Sequence, residues 1–123
     1  MTHPFELLIL DDDRETAEMT SELLGIYFPE AAIRVAFSGE EAVKLSQQKR
    51  PAVAVFDLEM AGMGGAAAAR ELRLVWPEIP PLLIALSGNL LKLDVLRHGG
   101  PFNHLLSKPV DIPALVRLVG SQV

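Results

Sequence analysis

The 123-residue sequence predicts a doubly wound α/β domain, with a five-stranded parallel sheet covered by helices on both faces. Three observations predict it. Five short apolar runs recur at even spacing. Segments of helical period separate them. The runs are nearly continuous in apolar residues rather than alternating, as strands buried on both faces are. Half of the residues are hydrophobic and 22% are charged, a balance that can build a core within one domain over residues 1–123.

The first run, residues 5–10 (FELLIL), ends at Asp11, Asp12 and Asp13. Asp13 reads as the N-cap of the first helix, whose apolar stripe is Met19, Leu23, Ile26 and Tyr27 at i, i+4, i+7 and i+8. Residues 33–37 (IRVAF) form the second strand. Ser38 and Glu41 then make a capping box for a helix to about Lys49, and Pro51 ends it.

Residues 52–56 (AVAVF) form the third strand, with Asp57 directly after it. Ala68, Leu72 and Val75 mark a third helix that stops before Pro77. Residues 82–86 (LLIAL) form the fourth strand, followed by Ser87, Gly88 and Asn89. A fourth helix runs from Leu90 to His98 and is closed by Gly99 and Gly100. Residues 104–107 (HLLS), the shortest run, form the fifth strand and lead into Lys108 and Pro109. Asp111 caps a fifth helix that turns Leu115, Val116 and Val119 inward.

Composition removes several function classes. The formal net charge of -5 gives no basic field for direct nucleic-acid binding or for an anionic membrane surface. There is no cysteine, hence no disulfide and no thiolate metal site. MTHPFELLILDDD lacks the basic start of a signal peptide, and no stretch is long enough to span a membrane. The expected location is cytoplasmic.

Ligands of an open parallel sheet bind at the carboxyl ends of its strands. Asp11 and Asp12, Asp57, Ser87 and Lys108 therefore converge on one edge from four strands. Acids held this close repel, and a hard divalent cation relieves them, Mg²⁺ or alternatively Mn²⁺. A lysine and a hydroxyl can bind phosphoryl oxygens. Together these are the parts a carboxylate needs to accept a phosphoryl group. Taken singly, each residue also has an ordinary reading as a cap, a turn residue or solvated surface. All of those readings would have to coincide at matching strand ends.

LLILDDDRE, VAVFDLEMAGMGG, LLIALSGN and LLSKPVD, in that order, resemble the receiver domain of bacterial response regulators, the CheY-like family, over residues 5–120. The resemblance implies a flavodoxin-like three-layer sandwich of five βα units with strand order 2-1-3-4-5. It implies that Asp57 is the phosphoacceptor and that Asp12 binds the metal directly, with Asp11 acting through water or positioning. The backbone carbonyl of Glu59 would complete the protein's share of the shell. Ser87, the Gly88 N–H and Lys108 would bind phosphoryl oxygens, and the Lys108–Pro109 peptide would be cis. The implied donor is a histidine kinase or a histidine phosphotransfer protein. The implied output is a downstream protein or a fused domain, and a phosphorylation-dependent dimer is compatible with it. Such a chain modifies itself and is no enzyme in the usual sense.

Some positions depart from the family pattern. Ala61 replaces a common proline and Gly64 a common aspartate. Leu105 stands where many members carry an aromatic ring or histidine, and His104 is one place early. The interval from Ser87 to Lys108 is slightly short, which points to an altered fourth helix. These changes bear on signal output more than on chemistry, and they keep a second reading open, a receiver-like interaction domain that needs no phosphate.

Other motifs carry less. Gly62 to Ala67 spells G-x-G-x-x-A, but Gly62 lies six residues beyond Phe56 rather than in a tight turn at the strand end. No Walker A sequence is present. His3, His98 and His104 have no metal-ligand spacing. Asp57-Leu58-Glu59 lacks the second aspartate of haloacid-dehalogenase-type phosphatases.

Overall fold

A computed structural model describes residues 4–60 and 62–122. The strands are β1 (Phe5–Leu10), β2 (Ala31–Ala36), β3 (Val53–Asp57), β4 (Leu82–Ser87) and β5 (His104–Ser107). The helices are α1 (Arg14–Tyr27), α2 (Gly39–Gln48), α3 (Gly65–Val75), α4 (Leu90–Arg97) and α5 (Ile112–Gly120). All five strands pair in parallel in the order β2-β1-β3-β4-β5, as the family resemblance implies. His3 and Ala61 lie outside the described residues.

Alternate residues of each central strand feed different layers. Leu7, Ile9, Val53, Val55, Ile84 and Leu86 pack with Leu24, Phe28, Leu115 and Val119 of the α1 and α5 side. Leu8, Leu10, Ala54, Phe56 and Leu83 pack with Ala42, Ala68, Ala69 and Leu72 of the α2 and α3 side. Two buried faces explain why the runs read as continuous apolar stretches. The second layer is rich in alanine and glycine, so its helices lie close to the sheet. A Cβ added to Gly65 would lie 2.5 Å from the Asp57 carbonyl oxygen, so glycine there lets α3 start directly against the end of β3.

The α1 stripe requires a correction. Met19, Ile26 and Tyr27 are exposed, Ile26 to 76%, while Ala17, Leu24 and the flanking Phe28 are buried. Small Ala17 lets the helix approach the sheet, and Phe28 meets Phe5 edge-on at 5.8 Å between ring centroids. Half-buried Ser21 interrupts the true inward stripe and hides it from a hydrophobicity pattern.

Strand limits differ by one or two residues. β2 begins at Ala31, because Ala31 and Ala32 pair with Phe5 and Glu6 although they add little apolar bulk. It ends before Phe37, whose ring lies under the Arg14 guanidinium at 4.0 Å. β3 and β4 extend to Asp57 and Ser87, which pair with Leu86 and Ser107.

Caps agree better. Glu41 N–H donates to Ser38 Oγ at 3.1 Å, and Glu41 Oε1 accepts from Phe37 N–H at 2.7 Å. Ala114 N–H donates to Asp111 Oδ1 at 3.1 Å. Asp13 holds the N-cap position, but its carboxylate accepts from the Thr16 hydroxyl rather than from a backbone N–H. Helix α4 is the shortest, 8 residues with Leu93 as its single buried residue, in keeping with the short Ser87–Lys108 interval. Its start is capped by Asn89 Oδ1, which accepts from Leu91 N–H at 3.0 Å and Lys92 N–H at 3.2 Å.

Candidate functional site at the carboxyl edge of the sheet

The strand ends bring the polar residues together. Asp11 continues the ladder past β1, its N–H donating to Ala36 O at 3.1 Å. Asp57 closes β3 and Ser87 closes β4. Lys108 N–H donates to Ser87 O at 2.9 Å, which holds the lysine beside β4, and its peptide bond to Pro109 is cis as expected.

Asp57 is 5% exposed and Asp11 is 6% exposed, whereas Asp12 is open to solvent. Asp57 Oδ1 accepts from Lys108 Nζ at 3.0 Å and from Glu59 N–H at 3.1 Å. Asp11 Oδ1 accepts from Asp13 N–H at 2.9 Å. One carboxylate oxygen from each of Asp11, Asp12 and Asp57 lies within 4.8 Å of the others.

Electrostatics follow from this crowding. Burial pushes the Asp11 carboxyl up from 3.8 to about 6, and the negative charge of Asp57 adds to it, against the Asp13 N–H and Lys108. Burial pulls the Lys108 ammonium down, but its hydrogen bond to Asp57 and the charges of Asp57, Glu59 and Asp11 outweigh that and raise it. One lysine thus faces several acids. The cluster is all oxygen, with one buried member that is costly to ionise, and this donor set fits a hard divalent ion such as Mg²⁺.

Ser87 is fully buried. Its hydroxyl donates to Glu59 Oε1 at 3.0 Å and accepts from Asn89 N–H at 3.0 Å. The Gly88 N–H donates to the same Glu59 oxygen. The side chain of Glu59 is the site residue that sequence reasoning missed, since it considered only the backbone carbonyl. The tight turn after β3, with Met60 N–H donating to Leu58 O at 3.1 Å, accompanies this return of the Glu59 side chain to the edge. A polar residue two places past a strand end at the ligand edge was the available signal. Gly62, with φ of 69°, lies in the loop between β3 and α3, which makes no glycine-rich turn at the strand end.

Comparisons with known proteins bear on the family to which this fold belongs. The family model described as the response regulator receiver domain matches residues 7–120. A response regulator receiver protein of Anaeromyxobacter sp. (strain Fw109-5) is 34% identical over 111 residues, 90% of this chain and 45% of that protein. The chain spans less than half the length of the curated relatives it matches. The signal receiver domain of a DNA-binding response regulator from Colwellia psychrerythraea superposes with a TM-score of 0.82 at 27% identity, covering 95% of this chain and 96% of that one. The receiver domain of a sensor histidine kinase from Pseudomonas aeruginosa, with a magnesium ion coordinated in its active-site cleft, superposes with a TM-score of 0.80 at 23% identity over 97% of each chain. With five parallel strands in the order 2-1-3-4-5 and a family match from Leu7 to Gly120, the chain belongs to the response regulator receiver domain family.

Proposed function

We propose that the chain accepts a phosphoryl group on Asp57 and, in doing so, changes a protein-interaction surface. The observation that carries this reading is the buried Asp57 carboxylate, 3.0 Å from the Lys108 ammonium and within one oxygen cluster with Asp11 and Asp12. The donor is a phosphohistidine on a histidine kinase or phosphotransfer protein. Asp57 Oδ2 attacks phosphorus, since Oδ1 is engaged by Lys108 and the Glu59 N–H. The phosphorus–nitrogen bond breaks as the phosphorus–oxygen bond forms, and the imidazole leaves as a neutral base once protonated. Hydrolysis later returns Asp57 and inorganic phosphate.

Asp11, Asp12, Asp57 and the Glu59 carbonyl would hold Mg²⁺, the ion that the Pseudomonas domain coordinates in its active-site cleft, and the metal would offset negative charge on the phosphoryl oxygens. Lys108 offsets charge on one oxygen. Ser87 and the Gly88 N–H bind another. Asp57 adds an acyl phosphate of about -1.5 to -2 charge, which pulls on Ser87 and Lys108 and so on the loops after β4 and β5. The output partner is a separate protein or a domain fused to this one. The chain catalyses its own modification and its reversal, and it acts on no separate substrate. No helix among the described residues is long and apolar enough to cross a membrane.

Acetyl phosphate or phosphoramidate with Mg²⁺, followed by intact mass, tests the reading. One phosphoryl mass on the wild type is expected. The phosphate-independent interaction domain predicts none.

A further inference from the structure

The groups assigned to bind a phosphoryl oxygen already hold a carboxylate. Glu59 Oε1 accepts from Ser87 Oγ at 3.0 Å and also from the Gly88 N–H. A hydroxyl and a backbone N–H converging on one anionic oxygen is the geometry an oxyanion site offers. The carboxylate lies against the Gly88 backbone, since a Cβ there would be in ordinary van der Waals contact with that oxygen at 3.5 Å. The charge of Glu59 also acts on Lys108, whose own hydrogen bond goes to Asp57.

We infer that Glu59 is an internal competitor for the phosphoryl group. Its carboxylate fills the Ser87 and Gly88 donors in the resting state and must leave them before the transferred group can dock. The inference rests on the proposed role of Asp57. It adds a residue that restrains the reaction, placed two positions after the acceptor.

The pose is suited to release. Glu59 Oε2 is buried without a hydrogen-bond partner among the described residues. Half of the carboxylate is thus desolvated without compensation, which offsets part of what Oε1 gains from its two donors. The incoming phosphoryl group brings more charge and more acceptor oxygens than the carboxylate it replaces. Rotation of Glu59 outward also returns Oε2 to water. Glu59 itself reaches the edge through flexible side-chain torsions, so its departure needs no strand to move.

Two mechanisms are separable. If Glu59 acts by occupying the donors, shortening it should release them even when its charge is kept. If it acts only by repelling anions, shortening it should do nothing. The test is an intact-mass time course with acetyl phosphate and Mg²⁺ below saturation, on wild type, Glu59→Asp, Glu59→Ala and Asp57→Asn. The Gly88 amide proton shift is recorded without phosphodonor. Glu59→Ala should be modified on the order of five- to tenfold faster, as expected when the competent state rises from a minor fraction to all of the protein. Glu59→Asp should be faster than wild type, and the Gly88 amide proton should move upfield in both variants as its charged acceptor is lost. Wild type modified on Asp57 with both variants no faster would overturn the inference while leaving the role of Asp57 intact. Acceleration confined to Glu59→Ala, with the Gly88 amide unmoved in Glu59→Asp, would show repulsion alone and overturn it as well. If no chain takes a phosphoryl group, the role of Asp57 and the inference fall together.

Discussion

Lys108 Nζ lies 3.0 Å from Asp57 Oδ1, although the two residues belong to segments separated by β4. The contact spans 51 residues of sequence and joins the third and fifth βα units at the edge of the sheet. It is made without a phosphoryl group, so in the proposed reaction Lys108 would exchange a carboxylate oxygen for a phosphoryl oxygen. Lys108→Ala should still be modified by a small phosphodonor, because the acceptor survives. We expect a rate lower by about tenfold or more, one charge-assisted contact being lost from the transition state. The variant should respond poorly in amide shifts on activation. A modification rate equal to wild type would remove Lys108 from the reaction.

Asp12 is the exposed member of the acid cluster and the direct metal ligand in our reading. Asp12→Ala removes both a charge and an oxygen donor. Calorimetry should detect Mg²⁺ binding by the wild type and none by the variant. Unchanged affinity would contradict the assignment.

Asp11 makes the metal-free stability depend on pH. Its folded value of about 6 lies above the ordinary 3.8, so the folded state binds this proton more tightly than the unfolded state does. Ionising it therefore costs stability progressively as pH rises from 3.8 to about 6. Asp11→Asn keeps an acceptor for the Asp13 N–H and loses the charge. In chelator, the variant should melt at a higher temperature than wild type at neutral pH. The gap should close below about pH 4, where both states hold the proton. A gap of constant size across this range would contradict the electrostatic account.

Leu105 packs half-buried against the small cluster of Leu58, Ala85 and Leu93, and it has no polar tip that could alternate between buried and wet states. Helix α4 is held by Leu93 alone as a buried residue, while Leu90, Leu91 and Val95 are exposed. Output should therefore travel through the backbone after Ser87 and through α4. With beryllofluoride as a phosphoryl mimic, amide shifts should be large from Ser87 to about Leu93 and small at the Leu105 methyls. Large Leu105 shifts beside a quiet α4 would reverse this.

The sheet was legible because strands buried on both faces announce themselves as continuous apolar runs, and β1 and β5 have the limits their runs suggest. Helix starts were legible where a side chain caps the backbone, as Ser38 and Asp111 do. The inward face of α1 was not, because Ala17 and Ser21 make a small-residue stripe weaker than the exposed Met19, Ile26 and Tyr27. The start of β2 was hidden for the same reason, since two alanines pair there.

At the site, Asp11, Asp12, Asp57, Ser87 and Lys108 could be read from position alone, as each ends a strand or follows one within two residues. Glu59 could not. Its carboxylate reaches Ser87, 28 residues away, through a turn whose course depends on tertiary packing. Asn89 was overshadowed by Ser87 and Gly88 before it, although it caps α4.

The most direct test of the account is the site of modification. Wild type treated with acetyl phosphate and Mg²⁺ should gain one phosphoryl mass, mapped to Asp57, and Asp57→Asn should gain none. A phosphoryl group found on Asp11 or Asp12, or one retained in Asp57→Asn, would contradict it.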